Sequence, residues 1–192
     1  MTKIHDFKES LKLGEEGESI IINYLENHPN YTEIIDVSKA PQYQDIDVDI
    51  VLRHVDGQKY LGEIKTDSYK SGNIFYEVKS AEEVQSEGCM NKTQADYLFY
   101  YYIKLDDLYI IDMNKYRDWF NKYKDFFDRQ GFKKSLKNRR YNGGTYSTIG
   151  YAIPLIYLED KNWVKKIKIK EWYFVYIEVR KTIYIRYWLY YW

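Results

Sequence analysis

The sequence has little cysteine, proline and glycine, and each shortage excludes a class of protein. A single cysteine, Cys89, excludes an internal disulfide and a zinc cluster built on cysteines. Three prolines and 10 glycines in 192 residues are too few for a fibrous or disordered chain. The longest stretch free of charge, residues 141–158, is rich in glycine, tyrosine and hydroxyl residues, so we expect no membrane span. The N-terminal residues lack the apolar segment of a secretory signal, which favours a cytoplasmic location.

Several kinds of catalytic centre are also missing. The three histidines, His5, His28 and His54, are scattered and form neither a histidine metal site nor a histidine-dependent nuclease motif. Cys89 has no histidine near it in the sequence, which argues against a cysteine nucleophile. No Gly-x-x-x-x-Gly-Lys loop occurs, so we expect no nucleotide cofactor.

Charge and aromatic residues are abundant. Charged residues make up 30% of the chain and cancel to a net charge of zero, but residues 1–96 carry 19 acids and 10 bases, whereas residues 97–192 carry 10 acids and 19 bases. Such asymmetry is compatible with a carboxylate-bound cation in one half and a polyanion bound by the other, or with two halves that neutralise each other in one fold. Aromatic residues reach 19%, and 23 residues are tyrosine.

The order of predicted elements indicates an α+β (mixed α/β) fold with a central mixed sheet flanked by helices. The length fits a single domain over residues 1–192, with a core over 10–128 and a basic loop and aromatic-rich extension over 129–192. Helices are predicted over 10–27, 81–95 and Asn114–Phe127, and loops over Pro41–Gln44 and 129–145. Strands are predicted over Tyr31–Val37, Asp45–Arg53, Lys59–Thr66, Ile74–Lys79, Tyr97–Ile103, Leu108–Asp112 and Ser147–Leu158.

Two acids and a lysine on neighbouring strands form the sharpest constellation. Asp49 lies in an alternating segment, the pair Asp56-Gly57 predicts a tight turn, and Glu63 and Lys65 follow on the returning strand. Residues of equal parity on paired strands project from one face, about 5 Å apart when they are opposite. Two carboxylates at that distance either share a cation or take up a proton, and Mg²⁺ suits an all-oxygen site.

Two further residues extend this constellation. Lys65 is placed to position or deprotonate a water beside the metal, which is what phosphodiester hydrolysis needs. Glu18 falls on the apolar stripe of the first helix, so it either points toward the sheet and finds a partner there or reaches solvent at the edge of the stripe.

These residues resemble the PD-(D/E)XK nuclease superfamily, through Asp49-x13-Glu63-x-Lys65 and through Gly14-x-x-x-Glu18. The resemblance covers about residues 10–112. It implies a restriction-endonuclease-like core of helix, three strands, helix and strand, and Mg²⁺-dependent cleavage of DNA. Val48 stands where many members have proline.

The resemblance also assigns roles. It implies that Asp49 and Glu63 bind Mg²⁺, with Mn²⁺ as a substitute, and that the backbone carbonyl of Ile64 completes the site. Lys65 would act on the attacking water, and Glu18 would support the metal or its waters. The segments Gly72–Glu77 and Lys92–Tyr97 are similar to stretches of small phage or mobile-element members. A polar residue on the later helix often faces the site in this superfamily, and the candidates here are Lys92 and Gln94, unless both are ordinary surface residues.

Basic residues after residue 128 are the candidates for contact with DNA. Two aromatic residues, Phe132 and Tyr141, lie in or beside this run, and the segment is either a phosphate-binding arm or a solvated loop. Its basic members are Arg129, Lys133, Lys134, Lys137, Arg139 and Arg140. The segment Trp172–Trp192 favours strands, and the sequence leaves open whether it completes the sheet, forms a homodimer interface or presents an exposed edge.

The sequence therefore predicts an intracellular Mg²⁺-dependent deoxyribonuclease with Glu18, Asp49, Glu63 and Lys65 as catalytic residues. Two alternatives stay open. One is a DNA-binding protein on the same fold that does not cut, and the other is a structural or assembly protein in which the carboxylates form ordinary salt bridges.

Overall fold

The structure, a computed structural model, describes residues 7–68, 71–139 and 143–170 and has a mixed α+β architecture. Within these ranges the helices are α1 (Phe7–Glu26), α2 (Pro41–Gln44), α3 (Cys89–Lys92) and α4 (Met113–Arg129). The strands are β1 (Tyr31–Asp36), β2 (Ile50–His54), β3 (Lys59–Asp67), β4 (Asn73–Ala81), β5 (Ser86–Glu87), β6 (Tyr97–Tyr102), β7 (Asp107–Asp112), β8 (Lys133–Arg139), β9 (Thr145–Pro154) and β10 (Val164–Lys168).

Six strands form the larger sheet, in the order β1-β2-β3-β6-β7-β10. β3 and β6 run parallel, and every other neighbouring pair in this sheet is antiparallel. The turn between β2 and β3 contains Gly57 at φ +88°, a conformation that glycine adopts without strain. The sheet is therefore mixed, as the order of elements predicts.

Helix α1 covers one face of the larger sheet. Ile21, Tyr24 and Leu25 are buried against β2 and β3 side chains such as Ile50 and Ile64. Because side chains alternate along a strand, the chain neighbours of Ile50, Leu52 and Ile64 point to the opposite face of the sheet. That opposite face carries Asp49, Glu63 and Lys65.

Four strands form a second sheet, in the order β5-β4-β9-β8, and α4 packs against it. Tyr76 of β4 stacks on Phe120 of α4 with ring centroids 3.7 Å apart, and Tyr151 of β9 meets the same phenylalanine edge-on at 5.0 Å. The aromatic side chains of α4 therefore join both sheets in one core. Much of the tyrosine content is used here as packing surface.

The segment Asp45–Arg53 is not one continuous strand. Residues 45–47 form a turn after α2, with Asp47 at φ +46°, and β2 begins only at Ile50. Asp49 therefore precedes the strand, although its N–H still donates to the Gly62 carbonyl at 2.9 Å. The alternation of acids with Ile and Val misleads because a short polar residue such as Asp47 tolerates the left-handed conformation of a turn.

The helix predicted over 81–95 is wrong. These residues form a 3-10 turn at Glu82–Val84, the strand β5 and the four-residue helix α3. Gly88 lies against the backbone of Glu77, where a Cβ atom would be only 2.5 Å from the carbonyl oxygen. A long helix through this position would separate the segment from β4.

The loop predicted over 129–145 is also wrong in part, because β8 occupies Lys133–Arg139 and pairs antiparallel with β9. Its polar sequence has no apolar alternation, and the non-local pairing with β9 decides its conformation. Arg140, Tyr141 and the segment Trp172–Trp192 lie outside the described residues. Among those that are described, no helix has the length and apolar character that crossing a membrane requires.

Candidate active site

The turn between β2 and β3 brings Asp49 and Glu63 together. Ile50 is paired with Gly62, so the next step of the same register sets Asp49 opposite Glu63. The Asp49 carboxylate accepts a hydrogen bond from the Ile64 N–H at 2.7 Å, which fixes its orientation toward β3. The two carboxyl groups, called here the carboxylate pair, lie close enough to share a hydrogen bond when one of them is protonated.

Glu63 is the most deeply buried member of the site, with 3% of its surface exposed. Its Oε1 atom lies 2.7 Å from Lys65 Nζ. Its Oε2 atom is buried and has no hydrogen-bond partner among the described residues. A buried carboxylate oxygen without a donor is costly, and a proton, an ordered water or a cation satisfies it.

Burial raises the pKa values of both members of the pair. The pKa of Glu63 rises to about 8, because desolvation and the charge of Asp49 outweigh the opposing effect of Lys65. Desolvation also raises the pKa of Asp49, and the Ile64 N–H opposes that rise. Without a cation, the pair therefore keeps a proton at neutral pH, whereas a bound divalent cation would replace that proton.

Lys65 connects the pair to an adjacent cavity. Its side chain is 39% exposed and lines a cleft of about 710 Å³. Although desolvation alone would lower the pKa of Lys65, nearby acidic groups including Glu63 hold it well above the ordinary value. The ammonium therefore stays charged, and it belongs to both the site and the lining of the cleft.

Glu18 approaches the pair from α1 without joining it. Helix and sheet come close together at Gly17, where a Cβ atom would collide with the side chain of Thr66. Burial raises the pKa of Glu18 to about 7, and the charge of Asp49 adds to that rise. The sequence motif Gly14-x-x-x-Glu18 does not identify Gly17, which is the glycine that the packing requires.

The donor set fits a hard divalent cation only in part. No three His, Cys, Asp or Glu side chains within the described ranges are already gathered closely enough to hold a metal ion. The free Oε2 of Glu63 and the adjacent Asp49 carboxylate are oxygen ligands of the kind that Mg²⁺ prefers, with waters completing its shell. Ile64 contributes its N–H to Asp49 in this state, and its carbonyl is the ligand that the superfamily resemblance implies.

Lys92 and Gln94 do not lie on a long helix facing the site. Lys92, the last residue of α3, forms an ion pair with Asp47 at 2.9 Å and donates to the Gln44 carbonyl at 3.1 Å. Gln94 follows α3, is exposed, and donates its backbone N–H to Ile46 at 2.9 Å. Lys92 thus stabilises the turn that precedes Asp49.

The basic candidates on β8 divide between its two faces. Lys134 faces the cleft, together with Leu136 and Asn138. Lys133, Lys137 and Arg139 alternate with them, and all three are exposed. A strand at a sheet edge also uses lysine to prevent pairing with other chains, so these charges alone do not identify a nucleic-acid surface.

The cleft is the feature that sequence reasoning misses. Its walls come from the start of α1, the end of β3 and one face of the second sheet. Phe75 and Tyr146 lie on that face because their strand neighbours, among them Tyr76, turn toward the α4 core. The pairing of β4 with β9 would have to be known before these residues could be recognised as one wall. The chain matches no protein-family model, no curated protein and no solved structure.

Proposed function

We propose that this protein is a Mg²⁺-dependent deoxyribonuclease that hydrolyses DNA phosphodiester bonds. The observation that carries the proposal is the buried carboxylate pair, in which Glu63 Oε2 has no partner among the described residues and Lys65 stands beside it. An acid pair next to a lysine at the end of a cleft is the arrangement expected for a hydrolytic site rather than for a structural ion pair.

Asp49 and Glu63 would hold the metal ion, which is Mg²⁺ or, as a substitute, Mn²⁺. The Ile64 carbonyl and Glu18 would complete the set of oxygens around it. When bound, such an ion lowers the pKa of water and stabilises charge that develops on phosphate oxygens. The Ile64 N–H keeps Asp49 aligned, so part of the site is preorganised before the ion arrives.

Lys65 would exchange one partner for another during the reaction. In the metal-free protein its ammonium contacts the Glu63 carboxyl group at 2.7 Å. If a cation were bound to that carboxyl group, the ammonium would be free to turn toward the cleft that it already lines. There it would orient the attacking water and pair with the scissile phosphate.

The topology around the site agrees with a restriction-endonuclease-like core. One helix, three antiparallel strands and a fourth strand parallel to the third occur as α1, β1, β2, β3 and β6. Two features differ from the expected order, because the second helix is reduced to α3 and the strands β4 and β5 are inserted before it. This agreement supports the proposal at the level of fold.

A DNA-binding protein that does not cut is the second candidate. The ion pair between Lys65 and Glu63, together with the lack of a ready cluster of three ligands in the described ranges, favours it. Metal binding separates the two candidates, because a nuclease needs Mg²⁺ or Mn²⁺ at the carboxylate pair and a pure binder does not.

The test is nicking of supercoiled plasmid in Mg²⁺ by wild type and by Glu63→Gln, with Mn²⁺ binding measured by calorimetry on both. We expect the variant to lose Mn²⁺ binding and at least about 100-fold in nicking rate, because the amide supplies neither the charge nor the second oxygen. Undiminished nicking by Glu63→Gln would contradict the assignment.

Asp107→Asn is the matched control for this test. Asp107 is also buried and paired with lysine, through Lys168 at 2.7 Å, but it lies on β7, two strands away from β3. It should keep both nicking and Mn²⁺ binding. If this variant loses as much activity as Glu63→Gln, the effect belongs to folding rather than to the site.

A further inference from the structure

The cleft beside Lys65 has the walls of a site for a flat ligand. Phe75 and Tyr146 present aromatic rings from the second sheet, Leu136 adds an apolar surface, and Tyr100 closes the floor. Phe75 is held in place over Gly150, where a Cβ atom would be 2.5 Å from the ring. A planar group entering here would therefore meet a fixed aromatic surface.

Polar groups in the cleft add hydrogen-bonding capacity and charge of both signs to these apolar walls. Two carboxylates line it, Asp67 and Glu77, and they accept hydrogen bonds from the hydroxyl groups of Tyr100 and Ser80. Asn73 supplies a carboxamide, and Asn138, whose amide nitrogen donates to Thr148 Oγ1 at 2.8 Å, supplies an acceptor oxygen. Lys134 and Lys65 supply ammonium groups from two different walls, and Lys65 also contacts Glu63. A nucleotide is flat, forms hydrogen bonds and carries negative charge, so it fits these walls. Its base stacks on aromatic rings and its phosphate pairs with lysine.

The size of the cleft decides which form of DNA fits. A volume of about 710 Å³ is in the range of pockets that enclose a small organic ligand. A duplex, whose major groove alone is roughly 12 Å wide, is far too large to enter it. A nucleotide that is unpaired, or is turned out of the helix, has the appropriate size.

We propose that the cleft receives one unpaired nucleotide of a DNA strand, with its phosphate at Lys65, and that the substrate is single-stranded or bulged DNA. This inference deepens the proposed nuclease function and depends on it for the role of the phosphate. It adds a substrate class and a set of contacts, with Phe75 as the stacking residue and Lys134 as the second phosphate contact.

The experiment measures binding by fluorescence anisotropy in Ca²⁺, with a fluorescent duplex, the same duplex carrying a three-nucleotide bulge, and the single strand. We expect the bulged and single-stranded DNA to bind at least about 10-fold more tightly than the duplex. Leu136→Trp, which fills the cleft, should reduce their affinity to that of the duplex. Phe126→Leu, on α4 outside the cleft, is the matched control and should change nothing.

A second measurement does not depend on the folding of Leu136→Trp. A 2-aminopurine base in the bulge should lose fluorescence on binding to wild type and to Phe126→Leu, but much less on binding to Phe75→Leu. The leucine keeps an apolar contact over Gly150 and removes only the ring.

The outcomes distinguish this inference from the nuclease proposal. Equal affinity for duplex and bulged DNA, with no 2-aminopurine quenching, overturns the inference even if plasmid nicking is normal. Free dAMP that binds as tightly as the bulged strand also overturns it, because the cleft would then be a mononucleotide site. Preferential, quenched binding of the bulge without Mn²⁺ binding or cleavage supports the cleft and rejects the nuclease.

Discussion

Two buried acids in the larger sheet have lysine partners but are neutralised to different degrees. Asp107 has an ammonium near each oxygen, with Lys168 at 2.7 Å and Lys166 at 3.2 Å. Glu63 has one ammonium, that of Lys65, at 2.7 Å on Oε1, and its Oε2 has no partner among the described residues. Both carboxylates are shielded from water, so the difference lies in the number of positive neighbours.

This difference separates a structural ion pair from a candidate site. Asp107 is neutralised by two ammonium groups, although its Oδ1 atom, like Glu63 Oε2, accepts no hydrogen bond within the described residues. The two acids therefore differ in the positive charge around them rather than in hydrogen bonding. Glu63 lies beside a second carboxylate and has a pKa of about 8, so its environment calls for an additional positive charge. The lysine content alone does not reveal this, since both acids belong to lysine-rich surroundings.

The largest expected effect comes from comparing the two lysines. Lys65→Met should lower the rate of metal-dependent cleavage by about 10²- to 10⁴-fold, because it removes the only ammonium that contacts both Glu63 and the cleft within the described residues. Lys168→Met, which removes a partner of Asp107, should leave the rate nearly unchanged. Single-turnover cleavage of plasmid measures both.

Mn²⁺ binding by Lys65→Met is the control that separates a loss of the ammonium from a loss of the metal site. That variant should bind Mn²⁺ at least as tightly as wild type, because the ammonium no longer competes for Glu63 Oε1. An equal loss of cleavage in both lysine variants would show that Glu63 and Asp107 do not differ in their importance for cleavage.

The next effect concerns how the free energy of unfolding depends on pH. Because the pKa of Glu63 is raised from 4.5 to about 8, the folded state holds a proton that the unfolded state releases. The free energy of unfolding should therefore fall as pH rises from about 5 to 8 without metal, by about 1–3 kcal/mol. Urea denaturation in EDTA at the two pH values measures it.

Variants test whether Glu63 causes this fall. Glu63→Gln should remove part of it and leave the part that comes from Glu18 and Asp49, whose pKa values are also raised. Asp107→Asn should keep all of it, since that variant leaves the carboxylate pair intact. Mg²⁺ should also reduce the fall in wild type, because a cation replaces the proton. A slope that is the same in wild type and Glu63→Gln would place the proton elsewhere.

The sequence predicted the local parts of this comparison and missed the non-local ones. The turn at Gly57 and the alternation of β3 are local signals, and they correctly predict that Glu63 and Lys65 share one face of the sheet, with Glu63 across from Asp49. The wall containing Phe75 depends on β4 pairing with β9, more than 70 residues later, and no local pattern encodes that pairing.

Charge patterns misled the prediction in two places. The lysines of β8 predict a loop, but the strand forms because β9 offers an edge for pairing. The acids before β2 predict a longer strand, but Asp47 turns and pairs with Lys92. In both cases the partner is distant in sequence, so the charged residues alone carry too little information to specify the structure.

The smallest expected effect concerns the two acids that neighbour these centres. Asp106, next to Asp107, accepts hydrogen bonds from the Tyr101 hydroxyl at 2.8 Å and from the Lys170 N–H at 2.7 Å, so its role is structural. Glu18 has a pKa of about 7 through burial and the charge of Asp49. Glu18→Gln should therefore weaken Mn²⁺ binding by about 10-fold, which is the smallest effect typical of a residue that supports a metal ligand. Stability at pH 8 should change little.

Asp106→Asn should show the reverse, with lower stability and unchanged Mn²⁺ affinity, because it weakens two hydrogen bonds remote from the carboxylate pair. Calorimetric titration with Mn²⁺ and urea denaturation measure the metal affinity and the free energy of unfolding of both variants. If Glu18→Gln binds Mn²⁺ like wild type, Glu18 is excluded from the ligand set, and the site reduces to Asp49, Glu63 and backbone or water oxygens. The raised pKa of Glu18 depends partly on the charge of Asp49. The pKa of Glu18 should then still change in the Asp49→Asn variant, which would show that Glu18 interacts with Asp49 electrostatically without binding the metal.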